Sequence, residues 1–380
     1  MAGRSDQQIG QRDESDEIVE FGARRRLAGG WLPRLLFATL VVAALVIAID
    51  HPSTNRTRQS GYRAQPVSIT HVGHRILGIS ANWDLFGLTS NGLVSIQFAR
   101  GEITRTVLPP APTDTSVSLV IGPHQAFIRP LDNAPGYVVP DGQPGRSLTG
   151  ILSRGGLLLP GPARGEEWFI GASQQITLIG PTGIAAGRPF AAVHAQYPAQ
   201  SAFSDGRGDV VLFNNSGTQY DATPTGLRPI GVLLIGVGPT NWLGLGCQQG
   251  QCRNVVVDAT TGASRTLPGA ALNVVSWPWP AEPGVVSPDG ALAVVVVTRG
   301  DLGMALDLVN LRTGRTTTIP VPIGMSSDSR DLAWSPDSRW LFALDGSRQL
   351  VAVRASDGTV HSLGVRLPAL SQIAMRGAPS

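Results

Sequence analysis

Short apolar runs of β-type residues alternate with glycine-containing turns along most of the chain. Between residues 100 and 360 one arrangement recurs at intervals of 36 to 52 residues: an extended apolar run, a short turn and a second extended run. The turn glycines of this repeat are Gly101, Gly142, Gly183, Gly226, Gly262, Gly314 and Gly358. A repeat of about forty residues made of short strands indicates small sheet modules that must pack on one another, because none could bury its apolar faces alone.

This period predicts an all-β fold, a seven-bladed β-propeller. The number of predicted blades becomes six if the strands of the irregular region at residues 184–230 are assigned to blades differently. A spare strand from one end of the chain, either 66–70 or 370–374, is expected to close the ring. The last two blades have the clearest pattern, with predicted strands at 292–298, 305–311, 316–320, 331–334, 340–344, 350–354 and 359–363.

Two of the turns between predicted strands share a sequence motif. Their segments are Val286-Ser287-Pro288-Asp289-Gly290 and Trp334-Ser335-Pro336-Asp337-Ser338-Arg339-Trp340. Proline fixes φ and aspartate can bond to its own backbone, so the motif favours a compact turn between antiparallel strands. These segments resemble the repeat of TolB-type, WD-repeat-like β-propellers. The resemblance implies a bladed ring and commonly a protein-interaction role. The separate N-terminal α/β domain of TolB is missing, so a role in the Tol system is not implied.

Four regions are predicted along the chain. Residues 1–30 form a polar, disordered, cytoplasmic tail. Residues 31–49 form an apolar run broken only by Pro33 and Arg34, and they would span roughly 28 Å as a helix, which is close to the ~30 Å hydrocarbon core of a bilayer. We therefore predict a single transmembrane helix that contacts the lipid bilayer; a cleaved signal peptide is the alternative. Residues 50–65 form a polar stalk, and residues 66–376 form the propeller.

The arrangement of charges and cysteines suggests which side of the membrane the propeller occupies. Arg24, Arg25, Arg26 and Arg34 lie just before the residues expected inside the bilayer, 35–49. Arg56, Arg58 and Arg63 follow the span, so the positive-inside bias is weak. Cys247 and Cys252 bracket a loop short enough to close as a hairpin disulfide, and such a bond persists in oxidising compartments. Two ordinary buried thiols are the alternative. Together these features predict a cytoplasmic N-terminus and an extracytoplasmic C-terminal domain at the cell membrane.

A Trp-Pro segment between the fifth and sixth predicted blades supplies the candidate partner-binding residues Trp277, Trp279 and Glu282. Tryptophans held by prolines offer a large contact area at low conformational cost, which is the profile of a binding hot spot. In a propeller this segment and the Cys247–Cys252 loop are expected on one face. Alternatively, the two tryptophans fill the channel or pack between blades.

Composition excludes some functional classes. All 30 basic residues are arginine, which is typical of the high-GC coding bias of actinobacteria, and the net charge is only +3. No basic stripe or RNA-binding aromatic motif is present, so no nucleic-acid partner is predicted.

The sequence has no nucleophile elbow, zinc-protease motif or P-loop, and no catalytic, cofactor or metal site is predicted. His71 and His74 would lie on opposite faces of an extended chain and are poor joint metal ligands.

The leading functional hypothesis is a non-enzymatic, membrane-anchored propeller that binds a protein or a cell-envelope component. An anchored hydrolase or lyase acting on envelope carbohydrate in the channel is one alternative. It would need carboxylates or a metal gathered from different blades, an arrangement that sequence spacing does not reveal. A small-ligand sensor is the other alternative.

Overall fold

Twenty-nine β-strands and two 3-10 turns make up the part of the chain that the computed structural model describes. The described residues are 67–108, 117–130, 136–148, 156–163, 165–171, 175–180, 190–191, 202–213, 219–274, 283–299, 303–324 and 329–376. The 3-10 turns are Ile76–Gly78 and Ser329–Asp331.

The described strands form six hydrogen-bonded sheets, named A to F in chain order. Sheet A contains β1 (Val67–His71), β2 (Asp84–Thr89), β3 (Gly92–Gln97), β4 (Glu102–Val107) and β29 (Gln372–Arg376). Sheet B contains β5 (Val117–Ile121), β6 (Gln125–Pro130), β7 (Tyr137–Pro140) and β8 (Arg146–Ser147). Sheet C contains β9 (Gly156–Pro160), β10 (Glu167–Gly171), β11 (Gln175–Ile179) and β12 (Phe190–Ala191). Sheet D contains β13 (Ala202–Ser204), β14 (Val210–Phe213), β15 (Gln219–Thr223) and β16 (Gly226–Ile230). Sheet E contains β17 (Leu233–Val237), β18 (Asn241–Gln248), β19 (Gln251–Asp258), β20 (Ser264–Thr266), β21 (Gly284–Val286), β22 (Leu292–Thr298), β23 (Met304–Asn310) and β24 (Thr316–Ile319). Sheet F contains β25 (Leu332–Trp334), β26 (Trp340–Leu344), β27 (Leu350–Arg354) and β28 (Val360–Ser362).

Each sheet is an antiparallel meander of four strands, with two additions. Sheet E consists of two such meanders, E1 (β17–β20) and E2 (β21–β24), joined by the parallel pairing of β17 with β21. Sheet A gains β1 as an outermost fifth strand and takes its innermost strand, β29, from the other end of the chain.

Apolar side chains on both faces of each meander join it to its two neighbours. Sheet B packs on sheet A through Leu119 and Ile128, for example, and on sheet C through Val120 and Phe127. Comparable clusters join C to D, D to E1, E1 to E2 and E2 to F. The last cluster joins sheet F back to sheet A. Because the packing returns to its starting point, the described part of the chain is an all-β propeller.

The repeated glycines occupy one structural position. Gly101, Gly142, Gly226, Gly262, Gly314 and Gly358 lie at the turn from the third to the fourth strand of a meander, and all six have positive φ. Gly183 lies outside the described residues. At Gly314 φ is +73°, and an added Cβ would lie 2.0 Å from the Pro268 carbonyl oxygen. Both the backbone conformation and the close approach therefore require glycine there.

The predicted strands agree with the observed ones to within a residue or two at their ends. Strands β22, β26 and β27 have the predicted bounds. Asp289 and Asp337 are turn-formers, as predicted: each accepts a hydrogen bond from the serine two residues earlier, at 2.6 and 2.7 Å. Each serine hydroxyl also accepts the backbone N–H five residues later, at 3.0 and 2.9 Å, which fixes the start of the second strand.

Closure of the ring uses both ends of the propeller sequence. The prediction offered residues 66–70 or 370–374 as alternatives, whereas the structure uses both in different roles. Strand β29 supplies the innermost strand of sheet A, with Ile373 buried, and β1 lies exposed at the outer edge.

Within the described residues, no helix is long and apolar enough to cross a membrane. The predicted tail (1–30), transmembrane helix (31–49) and stalk (50–65) lie outside the described residues and remain predictions.

Candidate functional site

A long hairpin formed by β18 and β19 projects from meander E1. Its eight-residue strands pair along their whole length, and the tip pairs Gln248 with Gln251. The two turn residues, Gln249 and Gly250, both have positive φ (49° and 78°). Such a two-residue turn matches the twist of the flanking strands and gives a tight hairpin.

The two cysteines cross-link this hairpin. Cys247 and Cys252 face each other across the strands and form a disulfide, as predicted from their spacing. Residues 248–253 are exposed, so the bond braces a segment that extends beyond the packed sheets. The exposed strand ends make no packing contacts with the apolar core. The cross-link joins them covalently and so restricts the conformations of the hairpin.

A cavity of about 520 Å³ lies beside the disulfide. The hairpin borders it on one side, and the outer strand β20 and the connection from sheet D to β17 border it on the other. Its polar groups are mainly side-chain amides and two guanidinium groups. The lining residues that carry them are Gln248, Gln249, Gln251, Arg253 and Arg265. Arg253 and Arg265 are both exposed, and Arg265 donates a 2.6 Å hydrogen bond to the Leu311 carbonyl oxygen.

The end of the ring that carries this hairpin is called the hairpin face here, and the end that carries the third-to-fourth-strand glycine turns is called the glycine-turn face. In an antiparallel meander the second-to-third-strand turns and the outer-to-inner connections share one end. The segment containing Trp277, Trp279 and Glu282 connects β20 to β21 and is therefore such an outer-to-inner connection. The three residues themselves lie outside the described residues, so their contribution to this face remains a prediction.

Three carboxylates come together on the glycine-turn face of sheet D. Asp205 and Asp209 lie in the turn from β13 to β14, and Asp221 lies on the third strand, β15, opposite Val211. One carboxylate oxygen from each residue lies within 4.8 Å of the other two. Asp205 and Asp221 are fully buried, and Asp209 is partly buried.

The carboxylate cluster has incomplete hydrogen bonding. Asp205 Oδ1 accepts the backbone N–H groups of Arg207 and Asp209 at 2.7 and 2.8 Å. Asp221 Oδ2 accepts Arg228 Nη2 at 2.6 Å. The other oxygen of each of these carboxylates, Asp205 Oδ2 and Asp221 Oδ1, is buried without a partner, and so is Asp209 Oδ1. Buried polar atoms are nearly always hydrogen-bonded, so three unsatisfied oxygens in one cluster require a physical explanation.

Burial and mutual repulsion change the acidity of the cluster. Burial, together with the charges of Asp205 and Asp221, raises the pKa of Asp209 to about 6. Burial also raises the pKa values of Asp205 and Asp221, against the lowering effects of backbone N–H donors on Asp205 and of Arg228 on Asp221. Without a counter-charge the cluster therefore retains protons at mildly acidic pH.

This cluster was not predicted from the sequence. The turn Ser204-Asp205-Gly206 resembles a degraded form of the Ser-Pro-Asp-Gly turn, but Asp221 lies on another strand. The sequence does hold one signal: three acids, Asp205, Asp209 and Asp221, fall within a single repeat, between Gly183 and Gly226. Their convergence depended on the strand register, which pattern alone does not fix.

Neither of the two N-terminal histidines takes part in the carboxylate cluster. His71 is exposed at the outer edge of sheet A, with Nδ1 3.9 Å from a carboxylate oxygen of Glu102. His74 is exposed in the loop after β1. No group of potential metal ligands containing either histidine is found within the described residues.

No protein-family profile matches the sequence, and no curated protein sequence matches it. Several solved structures resemble the fold. TolB from Acinetobacter baumannii is 12% identical, with a TM-score of 0.41 over 79% of this chain and 83% of that chain. Virginiamycin B lyase from Staphylococcus aureus is 12% identical, with a TM-score of 0.42 over 66% of this chain and 85% of that chain. A puromycin-hydrolyzing peptidase from Mycobacterium tuberculosis is 14% identical, with a TM-score of 0.49 over 79% of this chain and 53% of that chain. Likenesses of this size say nothing about activity, and the sheet topology itself identifies the described part of the chain as an all-β propeller.

Proposed function

We propose that this protein is a membrane-anchored, extracytoplasmic, seven-bladed β-propeller that binds a protein or a cell-envelope component without catalysing a reaction. The hairpin face is the binding face. The observation that carries the proposal is the disulfide-braced hairpin, whose exposed tip and adjoining cavity lie at one end of the blades. Trp277 and Trp279 belong to the β20–β21 connection and are expected at the same end.

The blade number is supported by the packing. Sheets A, B, C, D and F each contribute one meander, and sheet E contributes two. The apolar clusters join these seven meanders in a closed cycle, with one cluster between each adjacent pair. The parallel pair β17–β21 is then a contact between the inner strands of two neighbouring blades.

The chemistry of the hairpin face favours recognition of hydrogen-bond acceptors. Side-chain amides and the Arg253 guanidinium point to a partner with carbonyl, carboxylate or phosphate oxygens. Tryptophans at positions 277 and 279 would add apolar contact area beside these polar groups. A rigid, disulfide-closed hairpin loses little conformational freedom on binding, so it is suited to such a role.

The partner-binding proposal is tested by chemical cross-linking in intact cells that produce the full-length protein, followed by mass spectrometry of the cross-linked species. We expect Arg253→Ala and the double variant Trp277→Ala/Trp279→Ala to lose a cross-linked species by several-fold. Arg312→Ala is the matched control, because Arg312 is an exposed arginine in a third-to-fourth-strand turn on the glycine-turn face. The same species at the same yield in all variants with normal folding would refute the assignment of this face.

The location proposal has a separate test. Intact cells are treated with a membrane-impermeant reductant and then with an impermeant maleimide. An exported domain with an oxidised Cys247–Cys252 pair will be labelled only after reduction. Labelling that requires cell lysis but no reductant would contradict both export and the oxidised state in the cell.

Catalysis on envelope carbohydrate is less well supported by the described residues. A glycosidase needs carboxylates that reach the substrate. Asp205 and Asp221 are fully buried and cannot touch one. We therefore retain the hydrolase or lyase only as the alternative that a substrate screen of the purified protein would reveal.

A further inference from the structure

We infer that Asp205, Asp209 and Asp221 form a binding site for a divalent cation, Ca²⁺, within the fourth blade. This site lies on the glycine-turn face and is independent of the partner proposed above. Calcium would act there as a structural cross-link between the first-to-second-strand turn and the third strand.

The unsatisfied oxygens are the first argument. Three buried carboxylate oxygens, Asp205 Oδ2, Asp209 Oδ1 and Asp221 Oδ1, have no hydrogen-bond partner. Two of them belong to side chains with no exposed surface. A buried charge without a partner is strongly unfavourable, whereas a cation bound by these oxygens would satisfy all three at once.

The charge balance is the second argument. The three carboxylates carry three negative charges, and the ion pair with Arg228 neutralises one of them. Two charges remain, which equals the charge of one divalent cation. Arg207 lies near enough to lower the pKa of Asp209, but its Nη1 donates to the Ala259 carbonyl oxygen outside the cluster.

The chemistry of the ligand atoms favours calcium. One carboxylate oxygen from each residue lies within 4.8 Å of the other two, a spacing that one ion with Ca–O distances of about 2.3–2.6 Å can bridge. Mg²⁺ demands near-ideal octahedral geometry and usually keeps several waters, so it is less suited to a buried cluster of protein carboxylates. All three donors are oxygens, so softer metals have no preferred ligand here.

The site also has an entry path and a structural consequence. Asp209 is partly buried, and Gly206 and Arg207 beside it are exposed, so an ion can enter through the turn. The Asp205 carbonyl accepts the Trp242 indole N–H of the next blade at 2.8 Å. Fixing the turn with a cation would therefore also stabilise the packing between sheet D and meander E1.

A rival explanation for the close approach of the three side chains is that the carboxylates share protons, since protonated carboxyl groups can also lie close together. The two explanations predict opposite effects of removing one charge. In an ion-free cluster, Asp209→Asn relieves repulsion and raises the melting temperature at pH 7.5. In a calcium-loaded cluster, the same change replaces a charged ligand with a weaker, neutral one and lowers the melting temperature.

The test is thermal unfolding of the purified full-length protein in detergent at pH 7.5, with 5 mM CaCl₂ or with EGTA. We expect calcium to raise the melting temperature of the wild type by roughly 3–6 °C. Asp209→Asn and Asp205→Asn should lose most of this rise, and Asp209→Asn in EGTA should be at least as stable as the wild type. Magnesium at the same concentration should give less than half of the shift.

Asp345→Asn is the matched control. Asp345 Oδ1 accepts the N–H groups of residues two and four positions later, at 2.8 and 2.9 Å, as Asp205 Oδ1 does. No other carboxylate joins Asp345 in a cluster within the described residues. The control should therefore keep the full calcium shift.

A wild-type melting temperature independent of calcium would overturn the inference. So would a calcium shift that persists undiminished in Asp209→Asn, and an equal shift with magnesium would overturn the assignment to calcium. If Asp205→Asn does not fold, terbium luminescence of the wild type and Asp209→Asn decides the question. Bound Tb³⁺ should be excited through Trp242, displaced by calcium, and reduced at least several-fold in the variant.

Discussion

At the residue scale, buried polar groups hold neighbouring blades together. Arg129 is almost fully buried between sheets B and C. Its Nε donates to the Gly156 carbonyl oxygen at 2.9 Å, and its guanidinium lies 4.9 Å from the centre of the Phe169 ring. At the same interface between sheets B and C, the Ser118 hydroxyl donates to the Leu158 carbonyl oxygen at 2.6 Å. Strands with few charges thus pack through apolar clusters, with a small number of directed hydrogen bonds that fix their relative positions.

Glu167 gives a prediction about pH. Burial on β10, with the neighbouring charge of Glu166, raises its pKa to about 8 from an ordinary 4.5. Between these values the folded state keeps a proton that the unfolded state has lost, so stability falls as pH rises, by up to about 1.4 kcal/mol per pH unit. Glu167→Gln removes this dependence. We expect the variant to match the wild type near pH 5 and to be more stable at pH 8.5, as measured by urea unfolding.

Glu102→Gln is the control for the Glu167 experiment. Glu102 lies on β4 at the outer part of sheet A, where its carboxylate is partly exposed. This variant should not become more stable than the wild type at pH 8.5. If Glu167→Gln behaves like Glu102→Gln at both pH values, Glu167 is ionised in the folded protein and the prediction is wrong.

At the element scale, a single arginine connects the closing strand to two sheets. Arg376 on β29 pairs with Asp84 on β2 and with Asp141 after β7, the latter at 2.9 Å. It also donates to the Pro123 carbonyl oxygen at 3.2 Å and lies 4.8 Å from the centre of the Phe86 ring. These contacts join the C-terminal strand to sheets A and B.

Arg376→Ala should therefore destabilise the ring by about 2–4 kcal/mol, because it leaves a partly buried Asp84 without its partner. The measurement is the free energy of unfolding in urea. Arg339→Ala provides the comparison: the Arg339 side chain is 82% exposed and lies 3.7 Å from Asp337. A surface pair of this kind contributes less than about 1 kcal/mol. Equal losses in the two variants would show that Arg376 has no role in closure.

Elements with local signals were predictable, and those that depend on distant partners were not. Strands β26 and β27 have the predicted bounds because Ser335-Pro336-Asp337 and the turn glycines mark where the chain reverses. The Cys247–Cys252 bond was predictable because both cysteines belong to one hairpin. The use of both ends in sheet A depends on pairings such as Leu85 with Met375, which no local pattern specifies. For the same reason the meeting of Asp221 with Asp205 was missed.

At the scale of the whole molecule, the fold depends on its cyclic packing. Each meander is too small to be stable alone and buries both faces against its neighbours. The cluster between sheets F and A contains Phe342, Leu344, Leu85 and Ile96, all nearly fully buried. Opening this seam would expose two blade faces at once. The stability of every blade therefore depends on the innermost strand of sheet A, which the chain supplies last.

Deleting residues 372–380 should abolish cooperative folding of the whole propeller rather than loosen one blade, because the seam between sheets F and A opens. Near-UV circular dichroism and a single calorimetric transition report the intact ring. Deleting residues 67–71 is the matched control, since β1 is the exposed outer strand of the same sheet; this variant should keep one transition at a slightly lower temperature. Adding a peptide of residues 370–380 to the first variant should restore the transition, because it returns the missing strand. A truncated protein that still melts in one transition near the wild-type temperature would show that the ring does not need β29 to close.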